Sequence, residues 1–137
     1  MDPDNASRPE PAWEHLTGAV LLAGDAQDVP AMLEIAERLH PDVAATILIE
    51  AFSTVQRYRL RVPGHVSVTW LVRDRQPCDP SPCGIRGRGE RLAVGVYAWC
   101  AEWACADGAD TVPCTVWLGP RTSPHIVRMA QAQLRPA

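Results

Sequence analysis

The chain has 137 residues, 47% of them hydrophobic and 21% charged, with 13 Pro, 9 Gly, 5 Cys and a formal charge of −3. A chain of this size buries roughly two thirds of the surface its unfolded form exposes, enough for one core and not for two. The acidic balance excludes a nucleic-acid or anionic-membrane surface, which needs clustered positive charge, and no apolar run approaches the about 20 residues of a membrane span.

Residues 1–14 are polar and proline-broken and read as a disordered lead; residues 15–137 read as a single domain. The start MDPDNASRPEP has no apolar segment of the kind a secretory signal carries, so the cytoplasm is the expected compartment. Gly18-Ala19-Val20-Leu21-Leu22-Ala23, stopped by Gly24-Asp25, has the form of a strand buried on both faces. Val29, Met32, Leu33, Ala36 and Leu39 then recur at helical spacing. Asp25 or Asp28 can cap this helix, and Pro30 falls in its first turn, where a missing donor costs little.

Residues 44–50 form the second apolar run. Ser53-Thr54-Val55-Gln56 has capping-box form for a short helix. Residues 66–72, Val-Ser-Val-Thr-Trp-Leu-Val, predict the third strand, far enough from the second for a parallel crossover. Residues 74–89 are rich in Pro, Gly and Arg and predict a long surface loop. Leu92, Val96, Trp99, Cys100 and Trp103 share one face of a helix over about 90–106, despite the roughly 1 kcal/mol cost of Gly95. Residues 112–118 predict the fourth strand. Ser123-Pro124 opens a last helix bearing Val127, Ala130 and Leu134. The order of elements predicts an α/β fold, a three-layer parallel sheet flanked by helices.

In such sheets ligands bind at the carboxyl ends of the strands, where strand order reverses. The residues found there are Gly24 and Asp25, then Glu50, then Arg73 and Arg75, and finally Gly119 and Arg121. Gly24 would let backbone amides approach a phosphate, and Arg73, Arg75 or Arg121 would neutralise it. Charged loops and a first-turn glycine also belong to this fold in its own right, so periodicity alone leaves the function open.

Leu21-Leu22-Ala23-Gly24-Asp25 followed by Val29-Pro30-Ala31 resembles the start of the C-terminal, NAD(P)H-binding lobe of siderophore-interacting proteins, flavin-dependent ferric-siderophore reductases. Ile47-Leu48-Ile49-Glu50, Val66-Ser67-Val68-Thr69-Trp70-Leu71-Val72-Arg73 and Val116-Trp117-Leu118-Gly119 extend the likeness over residues 15–134. It implies a ferredoxin-reductase-like lobe with NADPH or NADH as its nucleotide and with Gly24, Asp25, Gln27, Glu50, Arg73, Arg75, Gly119 and Arg121 around it. It also implies a separate flavoprotein or siderophore-pathway protein as partner, and a homodimer is compatible with it.

The chain departs from the family at telling places. Where the family carries Glu-Thr-Ala-Leu-Pro after Gly-Asp, this chain has Ala26-Gln27-Asp28-Val29-Pro30. Gln27 thus replaces a hydroxyl expected at the pyrophosphate, and Asp28 adds negative charge. Gly119-Pro120 replaces the family's Gly-Glu. No flavin-binding barrel precedes Trp13, and the family's aromatic last strand is not reached by Ala137. The chain is therefore not expected to be a complete oxidoreductase alone, since a hydride donor needs an acceptor held beside it. The readings left are a nucleotide lobe serving a flavoprotein, a non-enzymatic binding or interaction module, and a small-molecule pathway protein.

No metal site is expected. Cys78 and Cys83 with Cys100 and Cys105 suggest four thiolates, but residues five apart on a helix point about 140° from each other. A dyad of Cys114 with His125 has no nucleophile motif behind it.

Overall fold

The computed structural model describes residues 11–52, 59–72, 89–103 and 112–134. After a short 3-10 turn at Trp13–His15 the elements run β1 (Ala19–Asp25), α1 (Val29–Arg38), β2 (Ala44–Ala51), β3 (Val66–Val72), α2 (Glu90–Trp103), β4 (Cys114–Leu118) and α3 (Pro124–Leu134). A second 3-10 turn, Ala26–Asp28, links β1 to α1. The expected short helix at 53–56, Arg73, Arg75 and most of the expected loop at 74–89 lie outside the described residues.

Among the described residues four parallel strands pair in the order β3-β2-β1-β4. The strand ends are set by register. Ala19 pairs with Ala44 and Asp25 with Glu50, so two carboxylates finish side by side on β1 and β2. Ala23 pairs with Leu118, and the Gly119 amide donates to the Ala23 carbonyl at 2.9 Å, which brings Gly119 alongside Gly24. The chain leaves β1 toward β2 on one side, while β4 joins it on the other, so the order reverses at β1.

The alternation of side chains along a strand sorts the core into two layers. Val20 and Leu22 of β1 and Ile47 and Ile49 of β2 meet Val29, Met32, Ile35 and Ala36 of α1. Ala19, Leu21 and Ala23 with Leu48 meet Leu92, Val96, Trp99 and Cys100 of α2 and Ile126 and Ala130 of α3. This is the three-layer α/β arrangement expected from the sequence. Gly95 has a packing reason: a Cβ there would stand 3.1 Å from Leu48 and 3.2 Å from Leu71, so the glycine lets α2 lie close on β2 and β3.

Two boundaries move. Trp13, assigned to the lead, is 1% exposed and packs under α1 with Val20 and Leu22, because a large aromatic removes more apolar surface from water there than a polar lead would. The fourth strand begins at Cys114 and not at 112; Pro113 lacks an amide to give to the ladder and supplies only its carbonyl, which accepts from Ala19 at 2.9 Å.

Ile47 is fully buried between β1 and α1. Ile47→Ala is expected to destabilise the fold by about 2–5 kcal/mol, read as a lower urea midpoint at an unchanged slope. A loss below about 1 kcal/mol would contradict the α1 layer.

Candidate functional site

A cleft of about 220 Å³ opens where β1 and β2 end and α2 and α3 begin, lined among others by Asp25, Asp28, Glu50, Gly89, Arg121 and Thr122. It coincides with the reversal of strand order, the position at which this architecture binds ligands. A wider apolar groove of about 490 Å³ lies between β3 and α2, along Leu71, Val94, Gly95 and Ala98, away from β1 and β4.

At the base of the cleft β1 turns into α1 through a reciprocal cap. The Gln27 amide donates to Asp25 Oδ1 at 2.9 Å, and the Asp25 amide donates to Asp28 Oδ2 at 2.9 Å. Asp28 is 5% exposed and sits in the notch between the two strands. A Cβ on either Gly24 or Gly119 would overlap its carboxylate. Both glycines are therefore needed for close approach, and what approaches is a side chain of the same protein.

Arg121 closes the arrangement from the loop after β4. Its Nε donates to Asp25 Oδ2 at 3.0 Å and its Nη2 to Asp25 Oδ1 at 2.9 Å, a two-pronged grip. Nη2 also reaches Asp28 Oδ1 at 3.0 Å. One guanidinium thus serves two carboxylates, and the local charge stays negative. The grip of Arg121 holds the Asp25 carboxyl below its ordinary value, the Gln27 amide helping and partial burial opposing. The Asp28 carboxyl is pushed up, first by burial and further by the neighbouring Asp25 charge, which together outweigh the Asp25 amide and the shared Arg121. Arg121 in turn is held above its ordinary value, mainly by Asp25.

Glu50 is 6% exposed and points the other way along the cleft. Both of its oxygens accept from the Gly89 amide at 2.9 Å, which pins the entrance of α2 to the end of β2. The Thr122 Oγ1 beside Arg121 is shielded from solvent and has no hydrogen-bond partner among the described residues.

Of the eight residues expected around a nucleotide, the structure brings Gly24, Asp25, Glu50, Gly119 and Arg121 together. Gln27 lies exposed at the rim, and Arg73 and Arg75 fall outside the described residues. The expected role of Gly24 meets an obstacle: the Asp25 and Gln27 amides that would face a phosphate are engaged by Asp28 and Asp25, and Arg121 is engaged by both. As they stand, these donors do not fit the phosphates of NADPH or NADH. Gly89, Thr122 and the plugging position of Asp28 were not foreseen. The spacing Asp25-x-x-Asp28 is that of a capping box and is the one signal that could have pointed to the plug.

Among the described residues no three His, Cys, Asp or Glu side chains are placed to hold a metal. Cys78, Cys83 and Cys105 lie outside the described residues. Burial pushes the Cys114 thiol up, and its Sγ donates to the Val112 carbonyl at 3.3 Å. Among the described residues no helix is long and apolar enough to cross a membrane.

A family model described as siderophore-interacting protein matches residues 17–120, the span that runs from the entrance of β1 to the turn after β4. The chain belongs to the siderophore-interacting protein family. Solved structures agree on the fold. The siderophore-interacting protein SipS from Aeromonas hydrophila superposes with a TM-score of 0.53 at 16% identity, covering 87% of this chain and 46% of SipS. A siderophore utilization protein from T. fusca gives 0.51 at 17% identity, covering 87% of this chain and 39% of that one. The chain thus spans less than half the length of these structures. No curated protein matches it.

Because the Asp28 carboxyl is held above its ordinary value, the folded protein takes up a proton there before the unfolded chain does. Stability from this group therefore increases as pH falls from 7 toward 4, and Asp28→Asn, with no proton to take up, lacks the increase. The melting temperature of the wild type minus that of Asp28→Asn is expected to rise over this range in thermal melts. A constant or shrinking difference would show that the ionised carboxylate is not desolvated.

Proposed function

We propose that this siderophore-interacting family lobe acts as a non-enzymatic binding or interaction module in siderophore handling, in a cytoplasmic setting, and not as the nicotinamide-nucleotide half of a reductase. The observation that carries this reading is the Asp28 carboxylate lodged between Gly24 and Gly119, where it takes the Asp25 amide and shares Arg121. A pyrophosphate entering the cleft would meet Asp25, Asp28 and Glu50, with one described cation already committed to the first two. Like charges at this distance in a partly enclosed site oppose binding more strongly than they would in water.

A second reading has its own support. The cleft lies at the reversal of strand order, and Arg121 is 41% exposed, so its guanidinium can be reached from solvent. On that reading the lobe binds NADPH or NADH and serves a separate flavoprotein.

Calorimetric titration of NADPH and of NADH into the purified protein separates the two. The module reading expects no heat at millimolar nucleotide and no NADPH oxidation when a siderophore-reducing flavoprotein is added. Micromolar binding of either nucleotide, or oxidation that appears only on mixing, would replace it with the second.

A further inference from the structure

The notch between β1 and β4 has the parts of an anion seat. Two glycines remove side chains from its walls, and the Asp25 amide and the Arg121 Nη2 each point at one oxygen of the Asp28 carboxylate, at 2.9 and 3.0 Å. Thr122 lines the same cleft, and its shielded Oγ1 has no hydrogen-bond partner among the described residues. The anion in the seat is supplied by the chain. Asp28 is fixed at the start of α1, three residues from Asp25, so it reaches the seat without the loss of translational freedom that a dissolved anion bears.

We infer that Asp28 is a specificity-determining residue, an internal carboxylate that holds the place of a phosphoryl group and so excludes phosphorylated ligands from this cleft. The inference rests on the module reading, in which the wild-type cleft takes no nucleotide. Shortening this one side chain frees the Asp25 amide and the Arg121 Nη2 hydrogen that Asp28 now takes, the other Nη2 hydrogen staying on Asp25, and removes one of the three carboxylates facing the cleft. The seat then takes a diphosphate. Asp25 keeps its two-pronged hold on Arg121 Nε and Nη2 and Glu50 stays on the Gly89 amide, so neither occupies the vacated notch.

The test is calorimetric titration of sodium pyrophosphate, in metal-free buffer, into wild type, Asp28→Ala and the double variant Asp28→Ala with Arg121→Gln. Circular dichroism melts confirm that each is folded. Asp28→Ser, shorter than Asp but still able to accept from the Asp25 amide, replaces the alanine variant if that one does not fold. Asp28→Ala is expected to bind pyrophosphate about tenfold or more tightly than the wild type, the effect of one freed charge-assisted hydrogen bond, and the double variant is expected to lose the gain. Folded Asp28→Ala that binds no better than a non-binding wild type overturns the inference and leaves the module reading in place. Retained gain in the double variant also overturns it, since Arg121 would then not be the cation. Wild type that binds as tightly as Asp28→Ala overturns the inference and the module reading together.

Discussion

Strand β1 is hydrogen-bonded on both edges and covered on both faces, and the location of the cleft follows from that constraint. Parallel partner β2 holds it from Ala19 to Asp25 and β4 from Ala19 to Ala23, while α1 covers one face and α2 with α3 the other. A strand enclosed in this way exposes only its ends. At its carboxyl end the neighbouring chains depart in different directions, and a crevice opens that no helix can fill from above. The apolar run of β1 serves this purpose: alternating residues feed two separate cores, so no position from Ala19 to Ala23 can carry a polar side chain.

The chemistry of the crevice is decided by a charge count within a few ångströms. Two carboxylates share one guanidinium, and a third carboxylate is tied to a backbone amide. The pair Asp25–Arg121 has the better geometry and leaves Asp28 the weaker share, so the guanidinium outweighs burial at Asp25 and lowers its carboxyl, while burial prevails at Asp28 and raises it. A buried carboxylate with a partial counter-charge is an expensive element, and replacing such groups by apolar ones is often neutral or stabilising.

Much of the fold was legible because its signals are local. The two-sided apolar run ended by Gly24-Asp25 marked β1, the 3.6-residue spacing from Val29 marked α1, and Ser123-Pro124 marked the start of α3, where the Ser123 Oγ accepts from the His125 amide at 3.2 Å. The third strand was read at its true limits. Boundaries slipped where a tertiary contact overrode local polarity: Trp13 joins the core from within a proline-broken lead, and Pro113 keeps β4 from starting earlier. Ile35, three residues after Met32, belongs to the buried face of α1, where the sequence pattern had placed Leu33.

The candidate site was legible only as a set of positions. Gly24, Asp25, Glu50, Gly119 and Arg121 could be placed at strand ends from the pattern of the chain, and the structure does gather them. By itself the sequence determined the layering, the parallel order of elements and the end of the sheet that carries the polar residues, because hydrophobic period and turn residues act over a few positions. Tertiary structure alone decided who faces whom. Arg121 and Asp28 are 93 residues apart, and whether a guanidinium meets a dissolved anion or one from its own chain depends on ångström distances that only the packed strands establish.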